Sequence, residues 1–263
     1  MQQIRGWRPR LNFVLFAAVG VVGLLVAIIL ASVVTLAANG LFAPSVASPG
    51  TNTLFIPTSP PLSRTPGARG SVAPGSGFLT GSPAAAPGAV NLTTRATAAN
   101  SDWAHWGLTT ATDFDHKASG AGQISNCSVI GPTHTQQMTD TAIAYSWSDG
   151  QPTASASGAT SGVFVVGAGD GLTFSVPANS SARTVTVYVN AYHAQGVFTA
   201  TLSDNSAAPY VDTTVSGVTG AITGVYTLTY QSASAGQRLT ISFSDQTNYA
   251  PDGYVSLQAA TLT

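Results

Sequence analysis

The sequence contains no glutamate, a single cysteine, and so few charged side chains that they make up 7% of its 263 residues. Typical soluble domains carry roughly 25%. Its water-facing surface is therefore left to Ser, Thr, Asn, Gly and backbone groups. One thiol, Cys127, excludes an intramolecular disulfide and any multi-cysteine zinc site, so stability must come from a hydrophobic core. Without Glu, a paired-carboxylate glycosidase would have to use two Asp. No GxSxG, HExxH, P-loop or dinucleotide fingerprint is present. No enzyme is expected.

The first part of the chain also lacks negative charge altogether, and the rest has little positive charge. Residues 1–101 carry six Arg and no acid, whereas residues 102–263 hold all ten Asp against Lys117, Arg183 and Arg238. Three scattered cations cannot build the basic patch that a phosphate backbone needs, which excludes nucleic acid as a partner.

Arg5, Arg8 and Arg10 precede an uncharged, largely apolar run from Leu11 to Ala38. As a helix, Phe13 to Ala38 would reach about 39 Å, enough to cross a hydrocarbon core of roughly 30 Å with tilt. The run predicts a transmembrane helix or signal anchor over 11–38 in a lipid bilayer, behind a short cytoplasmic segment 1–10. The positive-inside rule then places the remainder outside the cell. A signal peptide cleaved near Thr35–Ala38 is the competing reading and would make the protein secreted; the run is nearly twice the length of an ordinary signal core.

Residues 39–101 hold nine of the fifteen prolines amid Ser, Thr, Ala and Gly. With few large apolar side chains to offset backbone ordering, this stretch reads as an extracellular linker, stiffened locally by Pro57, Pro60, Pro61, Pro66, Pro74, Pro83 and Pro87.

Residues 102–263 contain all eight Tyr and three of the four Trp. Alternation at period two recurs: Val185, Val187 and Val189; Phe198, Ala200 and Leu202; Tyr226, Leu228 and Tyr230; Leu239, Ile241 and Phe243. Strands are expected near 104–109, 122–130, 142–147, 162–166, 171–176, 182–192, 196–203, 222–231, 237–244 and 253–262. Gly169-Asp170-Gly171, Ser203-Asp204-Asn205 and Pro251-Asp252-Gly253 mark turns between them. So many short strands predict an all-β fold, a β-sandwich of jelly-roll type. An immunoglobulin-like sandwich usually needs fewer strands. Val187, Phe198, Leu202, Leu228, Ile241 and Leu257 are the expected core.

Candidate ligand-binding residues are aromatic and imidazole side chains. In Asp102-Trp103-Ala104-His105-Trp106, strand geometry puts Trp103 and His105 on one face and Trp106 on the other, so one Trp enters the core. Tyr145-Ser146-Trp147 supplies a second aromatic pair, and Tyr192-His193-Ala194-Gln195-Gly196 a third group with hydrogen-bonding ends. Indole faces stack on sugar C–H faces and imidazoles read hydroxyls, which makes Trp103, His105, Trp147 and His193 the expected binding residues. Asp113, Asp115, Asp149, Asp204 and Asp252 stand at turns, where carboxylates and backbone carbonyls could gather around a structural calcium ion. Each could equally cap local backbone amides.

These segments, together with Gln123-Ile124-Ser125-Asn126, Gly224 to Tyr230 and Val255 to Leu262, resemble an extracellular β-sandwich module that recurs in large secreted bacterial proteins. The resemblance extends in architecture to galactose-binding-like jelly rolls. It implies an extracellular sandwich and, by analogy of architecture, glycan binding; with the anchor read over 11–38, the expectation is a non-catalytic, membrane-anchored module at the cell surface whose partner is a surface or matrix glycan. A structural or adhesive module binding a protein partner is the alternative.

Overall fold

The computed structural model describes residues 77–263. Its elements, in chain order, are β1 Phe78–Ala85, β2 Ala89–Asn91, the single helical turn α1 Leu92–Arg95, β3 Asp102–Trp106, β4 Phe114–Lys117 and β5 Ser128–Ile130. There follow β6 Gln136–Met138, β7 Ala144–Trp147, β8 Gly150–Gln151, β9 Ala156–Ala159, β10 Gly162–Val166 and β11 Gly171–Ala178. The long strands close the chain: β12 Arg183–Tyr192, β13 Ala194–Leu202, β14 Tyr210–Asp212, β15 Ala221–Gln231, β16 Gln237–Asn248 and β17 Tyr254–Leu262.

Three sheets result. A nine-stranded sheet runs β1-β15-β12-β17-β3-β4-β8, with β10 and β6 attached beside β17. A five-stranded sheet runs β14-β13-β16-β11-β5, and a three-stranded one β2-β7-β9. The protein is thus an all-β, multi-sheet sandwich, and no barrel closes among the described residues. The core lies between the two larger sheets. Val185, Val187 and Val189 point into it from β12, Tyr226, Leu228 and Tyr230 from β15, and Phe198 and Leu202 from β13. All six expected core residues are buried. Phe198 and Tyr226 stack face to face across the layers, with centroids 3.9 Å apart. β-branched and aromatic side chains suit such a pleated interface, while Thr184, Thr186 and Thr227 occupy the other face.

The domain begins earlier than the composition suggested. The linker expected over 39–101 gives way by Phe78, because β1 pairs along its whole length with β15, Phe78 facing Gln231 and Ala85 facing Gly224. Val90, Leu92 and Ala96 are buried as well. Pro83 and Gly81 are compatible with strand here because β1 is an edge, where a missing N–H goes unnoticed by the ladder. Residues 39–76 of that linker, and the apolar run at 11–38, lie outside the described residues. Among the described residues, no helix is long and apolar enough to cross a membrane.

The expected strand over 122–130 shrinks to Ser128–Ile130. Upstream, the N–H groups of Gln123 and Ile124 donate to the buried Asp102 carboxylate at 2.6 and 3.0 Å, a local alternative to a sheet ladder. Nearby, the buried Lys117 ammonium donates to the Ala96 carbonyl (2.8 Å) and the Ser101 hydroxyl (3.1 Å), tying the end of α1 to β4.

The three-stranded sheet is what distinguishes this fold from a plain two-layer sandwich. β2, β7 and β9 cover part of the outer face of the large sheet, burying Val90, Ile143, Tyr145 and Trp147 against Trp103, Tyr188, Val225 and Ala259. Both faces of β3 are consequently buried, at every one of its five residues.

Candidate functional site

Strand parity places Trp103 and His105 on the outer face of β3, as expected, and Trp106 in the main core against Phe174, 5.2 Å between centroids. The covering sheet then brings Trp147 to both outer residues. Its ring lies 5.3 Å from Trp103 and 5.1 Å from His105, and Tyr145 meets His105 edge-on at 5.3 Å. Three of the four expected binding residues therefore do gather, but all three are buried. With no ring face open to solvent, they pack the seam between two sheets and cannot stack on a sugar. The Trp147 indole donates to the Thr153 carbonyl at 2.9 Å, and Tyr145 donates to Gln258 Oε1 at 2.7 Å. Burial without a compensating charge holds the His105 imidazole down to about 4.

His193 is the exception. It occupies the tight turn between β12 and β13 with φ +44°, half-buried, and its ring packs on Tyr192 at 4.0 Å. His193 Nδ1 lies 2.9 Å from Asp252 Oδ1, and that hydrogen bond draws the exposed Asp252 carboxyl below the ordinary range.

From His193 a row of rings continues across the outer face of the large sheet. Tyr192 stacks on Tyr254 at 5.2 Å and 25°, and Tyr254 meets Phe164 at 4.7 Å. The register explains the row: Tyr192 on β12 faces Tyr254 on β17, whose other neighbour is β10. All four rings are half-buried.

Beside the row lies a groove of about 550 Å³, lined by Tyr192, Tyr254, Asn190, Thr223, Asp140, Ala142, Met138, Ala86, Ala221 and Ile222. Its floor is polar. Asn190 Nδ2 donates to Thr223 Oγ1 at 3.2 Å, while Asn190 Oδ1, buried, has no partner among the described residues. Directly across from Asn190 on β17, the buried hydroxyl of Ser256 is also unpartnered. Burial chiefly, with the negative field of Asp140 behind it, pushes the Tyr254 hydroxyl up to about 12, so it stays protonated and can donate. Two half-exposed rings, hydroxyls and one rim carboxylate thus line the groove. A second groove of about 430 Å³, beside Arg183 and Gln123, has no aromatic wall.

The five expected calcium ligands do not converge. Asp113 accepts from Thr109 N (2.7 Å), Thr110 N (2.9 Å) and both threonine hydroxyls, which pull its carboxyl down to about 2. Asp115 accepts from Thr153 N, Asp149 from Ser119 Oγ, and Asp204 from Ser206 and Ala233. Asp252 is bonded to His193. Among the described residues, no three His, Cys, Asp or Glu side chains form a metal-sized group. Cys127 is half-buried at the core margin, where burial pushes its thiol up to about 11 and leaves it unreactive.

The fold defines an all-β sandwich protein, and the comparisons add no closer identity. No family model matches the chain, and no curated protein matches it. An exo-β-1,3-galactanase from Phanerochaete chrysosporium, solved with β-1,3-galactotriose, is 12% identical over 58% of this chain and 31% of its own, with a TM-score of 0.28. The enzymatically active domain of tailspike protein 4 from bacteriophage CBA120 is 12% identical over 53% and 19%, with a TM-score of 0.30. A Bacteroides thetaiotaomicron protein described as a candidate sugar-binding protein is 10% identical over 52% and 87%, with a TM-score of 0.31. This chain thus spans less than two thirds of the first two proteins. At such scores no residue role transfers.

Proposed function

We propose that this protein is a non-catalytic module that binds a neutral glycan of the cell surface or matrix in the groove beside Tyr192 and Tyr254. The observation that carries the reading is the pair of stacked, half-exposed tyrosines that line one groove together with Thr223 and Asp140. Asp140 is the sole carboxylate among the lining residues, where glycoside hydrolysis ordinarily takes two. Asp140 on the rim, Asp252 nearby and the acidic balance of residues 102–263 disfavour a polyanionic ligand. Strands β10 to β13 pass alternately between the two large sheets, as do β15, β16 and β17, which supports a jelly-roll description. The uncharged run at 11–38 behind three arginines supports display outside the cell on a single membrane anchor.

The test is a glycan array followed by titration of the full chain to millimolar sugar. Tyr192→Ala and Tyr254→Ala should each weaken a detected neutral glycan at least tenfold while leaving the melting temperature within a few degrees. Absence of binding by folded protein across the array would replace this reading with the structural or adhesive one.

A further inference from the structure

We propose that Asp170 and Asp245 hold a single hard divalent cation, of the calcium kind, at the end of the sandwich core. Neither residue stands among the turn aspartates that the sequence singles out for a metal.

Asp170 immediately precedes β11, and Asp245 lies within β16. Gly171 faces Ser244 in the register of these strands, which sets Asp170 opposite Asp245. The backbone confirms the adjacency: Asp245 N donates to the Asp170 carbonyl at 2.8 Å, and Gly169 N donates to the Asp245 carbonyl at 2.7 Å. Leu172 and Phe243, the next inward-facing pair, belong to the core, so alternation turns both carboxylates to the inner side. Both are buried, Asp170 at 8% exposure and Asp245 at 1%.

Two like charges directly across antiparallel strands repel, and burial amplifies the cost. The usual remedies are missing here. Neither carboxylate forms an ion pair among the described residues, and both oxygens of Asp245 lack any hydrogen-bond partner there. Asp170 is the charged group that acts on Asp245.

The surroundings suit a cation. The Asp170 carboxylate lies against the backbone of Gly131 and Gly167, where a Cβ would collide with it. Both glycines have left-handed φ, +95° and +135°, so these turns bring bare backbone to the carboxylate. Oxygen donors, two of them anionic, match calcium better than zinc or copper. With only two carboxylates, the affinity belongs in the range of extracellular calcium modules, roughly 0.1 to 1 mM.

The experiment is thermal melting of the full chain at pH 7.5 in chelator, in 5 mM magnesium and in 5 mM calcium. Calcium should raise the melting temperature by roughly 5 °C, and magnesium by much less. Asp245→Asn should melt higher than the parent in chelator, because the repulsion is gone, and should not respond to calcium. Asp113→Asn, at a surface cap, should respond like the parent. Should Asp245→Asn fail to fold, equilibrium dialysis of the unaltered protein against radioactive calcium supplies the second measurement. It should give one ion per chain at pH 7.5. Identical melting in chelator and calcium, a calcium response retained in Asp245→Asn, or no bound ion in dialysis would each overturn the proposal.

Discussion

The indole rings of Trp103 and Trp147 lie 5.3 Å apart, tilted by 42°, across the seam between the large sheet and the three-stranded sheet that covers it. They belong to strands that share no hydrogen bond, so their contact exists only when the cover is docked. Trp147→Ala should cost about 3 to 5 kcal/mol by removing a large buried ring from that seam. Glycan affinity of the folded fraction should be unchanged. Urea denaturation alongside sugar titration checks both halves; a selective loss of affinity at full stability would return the Trp cluster to the binding site.

A second expectation concerns acid. His105 binds its proton only near pH 4 in the native protein, against 6.5 for an unhindered imidazole. Between those values the unfolded chain carries the extra proton, so this group's stability is complete above about pH 6.5 and is lost as pH falls through 4. The gap corresponds to about 3 kcal/mol. His105→Leu should lose less stability than the parent between pH 7.5 and 4.5 in urea titrations. Parallel curves for the two proteins would assign the acid sensitivity elsewhere.

Asp102 offers a third. Its carboxylate accepts from the N–H groups of Trp103, Gln123 and Ile124 at 2.9, 2.6 and 3.0 Å. Asp102→Ala leaves buried donors unpaired and should destabilise by about 2 to 4 kcal/mol. Hydrogen exchange should show the amides of 123 and 124 losing protection first; unchanged protection there would mean the loop is held by other contacts.

The membrane anchor is tested by the mass of the protein taken from intact cells. The intact N-terminal segment should be present in the membrane fraction. A mature chain beginning near Asn39 would show a cleaved signal peptide instead.

The long strands were legible because their inward residues repeat at period two with Val, Leu, Ile and Phe, as in Val185–Val187–Val189. Phe78–Ala85, Gln136–Met138 and Ala156–Ala159 were not, since Gly, Pro, Gln and Ser dominate strands that lie at edges and bury little. The parity of Trp103 and His105 was correct on the page of the sequence. Their burial was not legible, because the sheet that covers them joins Ala89–Asn91 to Ala144–Trp147 and Ala156–Ala159, short segments of which the first lies far from the other two in the chain. The groove left a signal that alternation contains: once Val189, Ala191, Val255 and Leu257 are assigned inward, Asn190, Tyr192, Tyr254 and Ser256 must share the outer face. Aromatic residues at outward positions of two neighbouring strands mark a platform. The Asp170–Asp245 pair needed the strand register itself, which no single segment encodes.

The centre of the large sheet is Tyr254–Leu262, bonded along one side to Arg183–Tyr192 and along the other to Gly162–Val166 and then Asp102–Trp106. A ribosome makes this strand after every other strand described. Until it arrives, the two flanks of the sheet have nothing between them, and their pairing edges stay open. The described domain therefore cannot lock into its final form until synthesis has reached its last strand.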